Sequence, residues 1–83
     1  MNKNSIALIT GGGTGIGFAI AKQLHSMKYT VVLTGRRKDK LVEAKKKLRN
    51  RCHIYENDIS DKSSIKNLVN NIEKNVGNID ILI

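Results

Sequence analysis

The 83-residue sequence contains no proline and no tryptophan, and it has a single cysteine, Cys52. One cysteine excludes an internal disulfide and agrees with a reducing compartment, so we expect a cytoplasmic protein. Long apolar runs are missing as well. The polar first five residues are followed by only four apolar ones, at residues 6–9, which is too short for a secretory signal or a membrane span. We therefore expect no membrane association.

Aromatic residues are also scarce, because Phe18, Tyr29 and Tyr55 are the only three. Acidic residues are outnumbered, since 15 Lys and Arg face 7 Asp and Glu and give a formal net charge of +8. A basic chain attracts polyanions. Nucleic-acid-binding domains, however, commonly present aromatic stacking surfaces that this composition lacks. We expect no nucleic-acid partner, and salt-sensitive DNA binding is the alternative that the charge leaves open.

Apolar runs alternate with helical periodicities along the chain. Four runs predict buried strands at residues 5–10, 29–34, 52–56 and 79–83, the third being the most polar and suited to a sheet edge. Strict alternation of strand and helix predicts one α/β domain over residues 1–83, with a Rossmann-like parallel sheet in the order 3-2-1-4. In this incomplete doubly wound fold, the first two helices cover one face and the third covers the other.

Each predicted helix has an apolar stripe and terminal signals. The first, over residues 15–27, is expected to pack on the sheet through Ile16, Ile20, Leu24 and Met27. The second begins near Asp39, which caps the helix or stabilises its dipole. The third is predicted to start at Ser60 as N-cap and to end before Gly77.

Five glycines lie at residues 11–17, where the first strand meets the first helix. A glycine within a helix costs about 1 kcal/mol relative to alanine, so the cluster needs a compensating role. A turn without side chains exposes backbone N–H groups, and the positive end of the helix dipole favours an anion there. These residues predict a pyrophosphate-binding turn, the alternative being a flexible turn without a ligand.

Other glycine loops fit less well. A Walker A loop requires Lys and then Ser or Thr after its last glycine, but Gly17 is followed by Phe18. The usual dinucleotide motif G-x-G-x-x-G differs from the spacing of Gly11, Gly15 and Gly17. A methyltransferase loop would need an acidic residue after the second strand, and none is present.

The pattern Thr-Gly-x-x-x-Gly-Ile-Gly at residues 10–17 resembles the cofactor motif of short-chain dehydrogenases/reductases. Residues 31–37, 57–60 and 79–83 are similar to later landmarks of that family, in the same order. The resemblance covers nearly the whole chain. It implies that the cofactor pyrophosphate is bound by residues of the glycine turn, namely Gly11, Thr14, Gly15, Ile16 and Gly17.

The residues after the second strand predict which dinucleotide is bound. A carboxylate there would bind the ribose hydroxyls of NAD, but Gly35 is followed by Arg36 and Arg37. Guanidinium groups pair well with a 2′-phosphate, so we expect NADP, with NAD less favoured. By similarity to NADP-preferring members, Arg36 contacts the 2′-phosphate and Arg37 stacks on the adenine. The alternative is that both are solvated loop arginines. Lys38 and Lys40 are expected to be surface residues that add general attraction.

Resemblance also implies that Asp58 contacts the adenine amino group and that the backbone of Ile59 touches the ring. An acid that stabilises the start of the third helix is the alternative for Asp58. Cys52 and Asp80 are expected to be structural.

Catalytic groups of the family have no counterpart here, because neither Tyr29 nor Tyr55 is followed by a lysine four residues later. We therefore expect the amino-terminal part of an NADP-dependent oxidoreductase acting on a carbonyl or alcohol, ending before its catalytic Ser, Tyr and Lys. A non-catalytic NADP-binding sensor or interaction module is the alternative. The open edge of the last strand predicts self-association.

Overall fold

The structure is a computed structural model, and it describes residues 5–58 and 60–83. Strands and helices alternate in the following order: β1 (Ile6–Thr10), α1 (Gly15–Ser26), β2 (Thr30–Gly35), α2 (Lys38–Leu48), β3 (Cys52–Glu56), α3 (Lys62–Asn75) and β4 (Ile81–Leu82). The strands form a parallel four-stranded sheet in the order β3-β2-β1-β4. The predicted Rossmann-like order is confirmed, and β3 lies at an edge as expected.

Two apolar clusters pack on opposite faces of the sheet. Ile9 and Leu33 point to the face covered by α1 and α2, where Ala21, Leu41, Ala44 and Leu48 are buried. Leu8 and Val32 point to the other face, where Leu68 and Ile72 of α3 are buried. Side chains alternate between faces along a strand, so β1 and β2 each contribute to both clusters. The predicted division of the helices is thus confirmed.

Helix α1 packs through a different face from the predicted one. Ile16 is 80% exposed and Met27 is 42% exposed, whereas Ala21 is fully buried. Phe18 and Leu24 pack beside Ala21 against the same cluster. The apolar residues of α1 form two overlapping stripes that share Leu24: the predicted one, and the one with Phe18 and Ala21 that meets the sheet. The small side chain of Ala21 lets the helix approach the sheet closely.

Helix α3 starts one residue later than predicted. Its N-cap is Asp61 rather than Ser60, and the Asp61 carboxylate accepts hydrogen bonds from the amides of Ser63 and Ser64. An ionised carboxylate accepts stronger hydrogen bonds than a hydroxyl, which favours Asp61 as the cap. Gly77 follows the helix as predicted, with a φ of 148°.

Strands β2 and β4 differ from their predicted bounds. β2 runs from Thr30 to Gly35, because the amide of Tyr29 donates instead to Leu24 at the end of α1. β4 comprises only Ile81–Leu82. Single backbone hydrogen bonds continue its pairing with β1, from the Asp80 amide to the Ile6 carbonyl at 2.8 Å and from the Ile83 amide to the Leu8 carbonyl at 2.9 Å.

Candidate functional site

The glycine turn lies at the carboxyl ends of β1 and β2, which are aligned in register at Thr10 and Thr34. The amide of Gly12 donates to the Thr34 carbonyl at 3.1 Å and anchors the turn to β2. Gly11 and Gly15 have φ values of 66° and 59°. This left-handed region is readily available to glycine and costly for most other residues. The two glycines therefore allow the chain to reverse sharply between β1 and α1.

Gly17 serves a different purpose, because its backbone packs directly on that of Gly11. A Cβ atom at Gly17 would collide with the Gly11 carbonyl oxygen and lie 2.8 Å from its carbon. The first turn of α1 therefore rests on the glycine turn without an intervening side chain. This packing fixes the direction in which the first amides of the helix point.

The amino terminus of α1 is open to an anion. Its N-cap Thr14 makes no side-chain capping hydrogen bond, and no acidic residue lies in its first turn. The first helical hydrogen bond runs from the Phe18 amide to the Thr14 carbonyl at 3.3 Å, so the preceding amides lack an intrahelical acceptor. In contrast, α3 is capped by Asp61 and α2 has Asp39 in its first turn. The uncapped amides of α1 can therefore hold a phosphate.

Two clefts adjoin this helix start. The larger measures about 340 Å³ and is lined by Gly11, Thr34, Gly35, Arg36, Asn57, Asp58 and Ser60. The narrow cleft measures about 90 Å³ and is lined by Gly11, Gly13, Thr14, Gly35, Arg37, Lys40 and Leu41. Gly11 and Gly35 line both clefts, so the two spaces are neighbours along the carboxyl ends of the strands.

Opposite charges line the larger cleft. The Asp58 carboxylate accepts hydrogen bonds from the Ser60 amide at 3.0 Å and from the Ser60 hydroxyl at 2.8 Å. These bonds, with a smaller contribution from the Arg36 charge, hold the pKa of Asp58 below its ordinary value. Asp58 is therefore an ionised acceptor at neutral pH, and the cationic group of Arg36 lines the same space.

Buried oxygen atoms of two other residues also belong to this region. Among the described residues, Thr34 Oγ1 and Asn57 Oδ1 are buried without a hydrogen-bond partner, and both residues line the larger cleft. Asn57 Nδ2 donates to the Ser64 hydroxyl at 3.2 Å, which orients the amide. Neither residue is among the site residues predicted from the sequence. Two signals were present: each is a polar residue at or just after the carboxyl end of a predicted strand, and each lies in a segment, residues 31–37 or 57–60, that resembles a family landmark.

The structure brings most of the predicted site residues together. Gly11, Thr14, Arg36, Arg37 and Asp58 line the two clefts. The first turn of α1 contains Gly15, Ile16 and Gly17. The side chain of Ile16 is exposed. Its amide is one of those at the helix start that have no intrahelical acceptor. Ile59 lies outside the described residues.

A further cleft of about 490 Å³ lies at the amino ends of the strands, beside His53, Gly77 and Asp80. It is larger, but it contains neither the glycine turn nor an arginine. Ligands of open parallel sheets bind at the carboxyl ends of the strands. For that reason we assign the functional site to the two clefts beside α1.

Cys52 and Asp80 have the structural surroundings that the sequence predicts. Cys52 is buried, and burial raises the pKa of its thiol to about 11, against a smaller opposing effect of Lys45. A protonated thiol is a poor nucleophile. The Asp80 carboxylate accepts a hydrogen bond from the Ile6 amide at 2.8 Å and thereby joins β4 to β1. Neither residue belongs to the candidate site.

Within residues 5–58 and 60–83, no group of three or more His, Cys, Asp or Glu side chains could hold a metal ion. None of the helices described is long and apolar enough to cross a membrane.

A parallel sheet with a glycine turn and an open helix start at its carboxyl edge defines a Rossmann-like nucleotide-binding domain. Residues 5–83 match the family model described as short chain dehydrogenase. The chain belongs to this family, and the resemblance expected from the sequence is confirmed.

Named relatives agree with this assignment. (+)-Neomenthol dehydrogenase of Capsicum annuum is 42% identical over 84 residues, which cover 93% of this chain and 27% of that protein. The crystal structure of a short chain dehydrogenase from Bacillus anthracis superposes with a TM-score of 0.90 at 32% identity, over 96% of this chain and 34% of that one. The closed form of serine dehydrogenase, complexed with NADP+, superposes with a TM-score of 0.85 at 31% identity. The match covers 93% of this chain and 31% of that one. The chain therefore spans about a third or less of the length of these proteins.

Proposed function

We propose that this chain is the NADP(H)-binding part of an oxidoreductase that reduces a carbonyl or oxidises an alcohol. The observation that carries the proposal is the open amino terminus of α1 beside two arginines, Arg36 and Arg37, where an NAD-binding site would have a carboxylate. Membership of the short-chain dehydrogenase family supports a dinucleotide cofactor. A similar solved structure is complexed with NADP+, which supports the choice of this dinucleotide.

The residues of the site suit the parts of that cofactor. The amides of Thr14 through Gly17 would hold the pyrophosphate, for which the helix dipole adds attraction. Arg36 would pair with the 2′-phosphate through charge-assisted hydrogen bonds. Asp58 would accept a hydrogen bond from the adenine amino group, with the backbone of Ile59 beside the ring. Arg37 has a planar guanidinium that could stack on the base.

The cofactor supplies the hydride when bound, and the protein supplies binding and orientation. Tyr29 and Tyr55 lie outside the two clefts and have no lysine four residues later. We therefore assign no catalytic residue within this chain and propose turnover for the oxidoreductase of which it forms the nucleotide site. We further propose a cytoplasmic location, where the thiol of Cys52 stays reduced.

Titration of the protein with NADP and NAD by isothermal calorimetry tests the proposal, and we expect NADP to bind more tightly. Arg36→Ala should raise the dissociation constant for NADP by about ten- to a hundredfold, since a charge-assisted hydrogen bond contributes about 1.5–3 kcal/mol. Its affinity for NAD should be nearly unchanged. Lys46→Ala, which removes one positive charge from the exposed face of α2, is the matched control. Equal losses for both dinucleotides would disprove the role of Arg36.

A further inference from the structure

The narrow cleft lies where the glycine turn packs against the first turn of α2. A Cβ atom at Gly13 would lie 3.3 Å from the Cβ of Lys40 and 3.3 Å from the amide nitrogen of Leu41. A side chain at residue 13 would require α2 to shift by a few tenths of an ångström, so glycine favours this close approach. The base of the Lys40 side chain is thereby fixed beside the glycine turn.

Lys40 differs from the other lysines of this helix. Its side chain is partly buried and lines the cleft, whereas Lys38, Lys45, Lys46 and Lys47 are exposed and line neither cleft. Among the described residues, the one ion pair within 4.0 Å joins Arg37 to Asp39, at 3.9 Å, so no carboxylate there neutralises the Lys40 ammonium. An ammonium without a counter-ion at the wall of a cleft favours the arrival of an anion there.

The size of the narrow cleft limits what that anion is. Its volume of about 90 Å³ corresponds to about three water molecules at roughly 30 Å³ each. This space is of the right size for a phosphoryl group. Two cationic side chains, Arg37 and Lys40, line it, and the larger cleft adjoins it across Gly11 and Gly35. A ribose over these two glycines could direct a substituent into it.

We propose that Lys40 is a specificity-determining residue, which binds the 2′-phosphate of NADP from the narrow cleft while Arg36 contacts it from the larger one. This inference rests on the proposed NADP function and adds a cation that the sequence analysis assigned to the surface. Arg37 lines the narrow cleft and not the larger one, so in this inference it binds the phosphate beside Lys40 instead of stacking on the adenine. Asp39 lies 3.9 Å from Arg37 in a solvent-exposed ion pair, so it competes weakly with the phosphate for that guanidinium.

The test compares two lysines that differ in placement but not in charge. Lys40→Gln and Lys38→Gln each remove one positive charge from the first turn of α2, and only Lys40 lines the cleft. We expect Lys40→Gln to weaken NADP binding by about tenfold or more and Lys38→Gln by less than about threefold. NAD binding should change by less than about twofold in both variants, which also shows that they are folded. Lys40→Arg, which retains the charge, should restore most of the NADP affinity.

Adenosine 2′,5′-bisphosphate and adenosine 5′-monophosphate serve as simpler calorimetric probes, because they differ only by the 2′-phosphate. Lys40→Gln should weaken binding of the bisphosphate alone. Asp39→Asn, which releases Arg37, should strengthen its binding by about two- to fivefold. Equal weakening of NADP binding in Lys40→Gln and Lys38→Gln would overturn the role of Lys40 and leave the NADP function standing. Equal affinity of the unmodified protein for NADP and NAD would overturn both.

Discussion

The carboxylate of Asp80 accepts a hydrogen bond from the amide of Ile6 at 2.8 Å, which joins the residue before β4 to the first residue of β1. The same two residues form a second bond, because the Asp80 amide donates to the Ile6 carbonyl, also at 2.8 Å. This double link holds the short strand β4 in register beside β1. Asp80 is thus part of the framework that supports the glycine turn at the other end of β1.

We predict that Asp80→Ala lowers the free energy of unfolding by about 1–2 kcal/mol, because the variant leaves the Ile6 amide without its charged acceptor. Urea denaturation followed by circular dichroism measures the change. Glu73→Ala removes an exposed carboxylate from α3 and should change stability by less than about 0.5 kcal/mol. An equal effect of both substitutions would show that the Asp80 hydrogen bond contributes nothing specific.

The contact between Gly17 and Gly11 predicts a strong response to a single methyl group. Gly17→Ala would place its Cβ against the Gly11 carbonyl, so α1 must shift. We expect a loss of about 1–3 kcal/mol in stability and a loss of NADP binding, measured by thermal unfolding and calorimetry. Gly35→Ala is the stability control, because its Cβ would lie 3.7 Å from Leu41 Cδ2, an ordinary contact. A Gly17→Ala variant as stable as Gly35→Ala would contradict the packing.

The buried thiol of Cys52 predicts both low reactivity and a pH dependence. Its pKa rises from 9.0 to about 11 through burial, so the folded chain keeps the proton between these values while the unfolded chain loses it. The contribution of the Cys52 thiol to the free energy of unfolding is therefore fully present below pH 9 and decreases as the pH rises toward 11. Iodoacetamide should alkylate the folded protein far more slowly than the urea-unfolded protein at pH 8.

The corresponding stability measurement compares the wild type with Cys52→Ala between pH 8 and 11. Subtracting the two curves removes the titration of lysine and tyrosine, which both proteins share. The difference in free energy of unfolding between the wild type and Cys52→Ala should become smaller as the pH rises above 9. A constant difference, or rapid alkylation of the folded protein, would mean that the thiol is accessible.

The sequence predicts the order of the sheet because four apolar runs and three helical periods leave few topologies for a parallel fold. It misjudges α1, because a helix with apolar residues on two overlapping stripes does not specify which stripe meets the sheet. The small side chain of Ala21 favours packing of the stripe that contains it, and a pattern of hydrophobic positions carries no information about side-chain volume. The start of α3 is missed by one residue, because Ser60 and Asp61 are both good caps and only the hydrogen bonds of Ser63 and Ser64 distinguish them.

The candidate site shows the same limit. The glycine turn and the two arginines are local in sequence, so the motif and its resemblance to the short-chain dehydrogenase family predict them. Lys40 is not predicted, because its placement depends on the contact between Gly13 and α2, which are separated in the sequence by α1 and β2. Thr34 and Asn57 come together at the larger cleft only through the pairing of β2 with β3. Long-range packing therefore defines those parts of the site that the sequence leaves open.

The outer edge of β4 leads to a last prediction, the self-association of this 83-residue chain. Leu82 is 69% exposed and Ile83 is 43% exposed, and an apolar groove beside them is lined by Leu8, Thr10, Ile65, Leu68, Val69 and Leu82. An exposed apolar strand edge pairs readily with another strand. Sedimentation velocity should therefore detect dimers or larger species whose fraction increases with protein concentration.

Leu82→Lys should shift this equilibrium toward the monomer, because a charge on an edge strand opposes pairing with a second copy. Met27→Lys is the matched control, since Met27 is also an exposed apolar residue, 42% accessible, but lies after α1 and away from β4. Both substitutions add the same charge, so general electrostatic repulsion affects them equally. If the two variants dissociate to the same extent, or if the unmodified chain sediments as a monomer at all concentrations, the β4 edge is not the site of association.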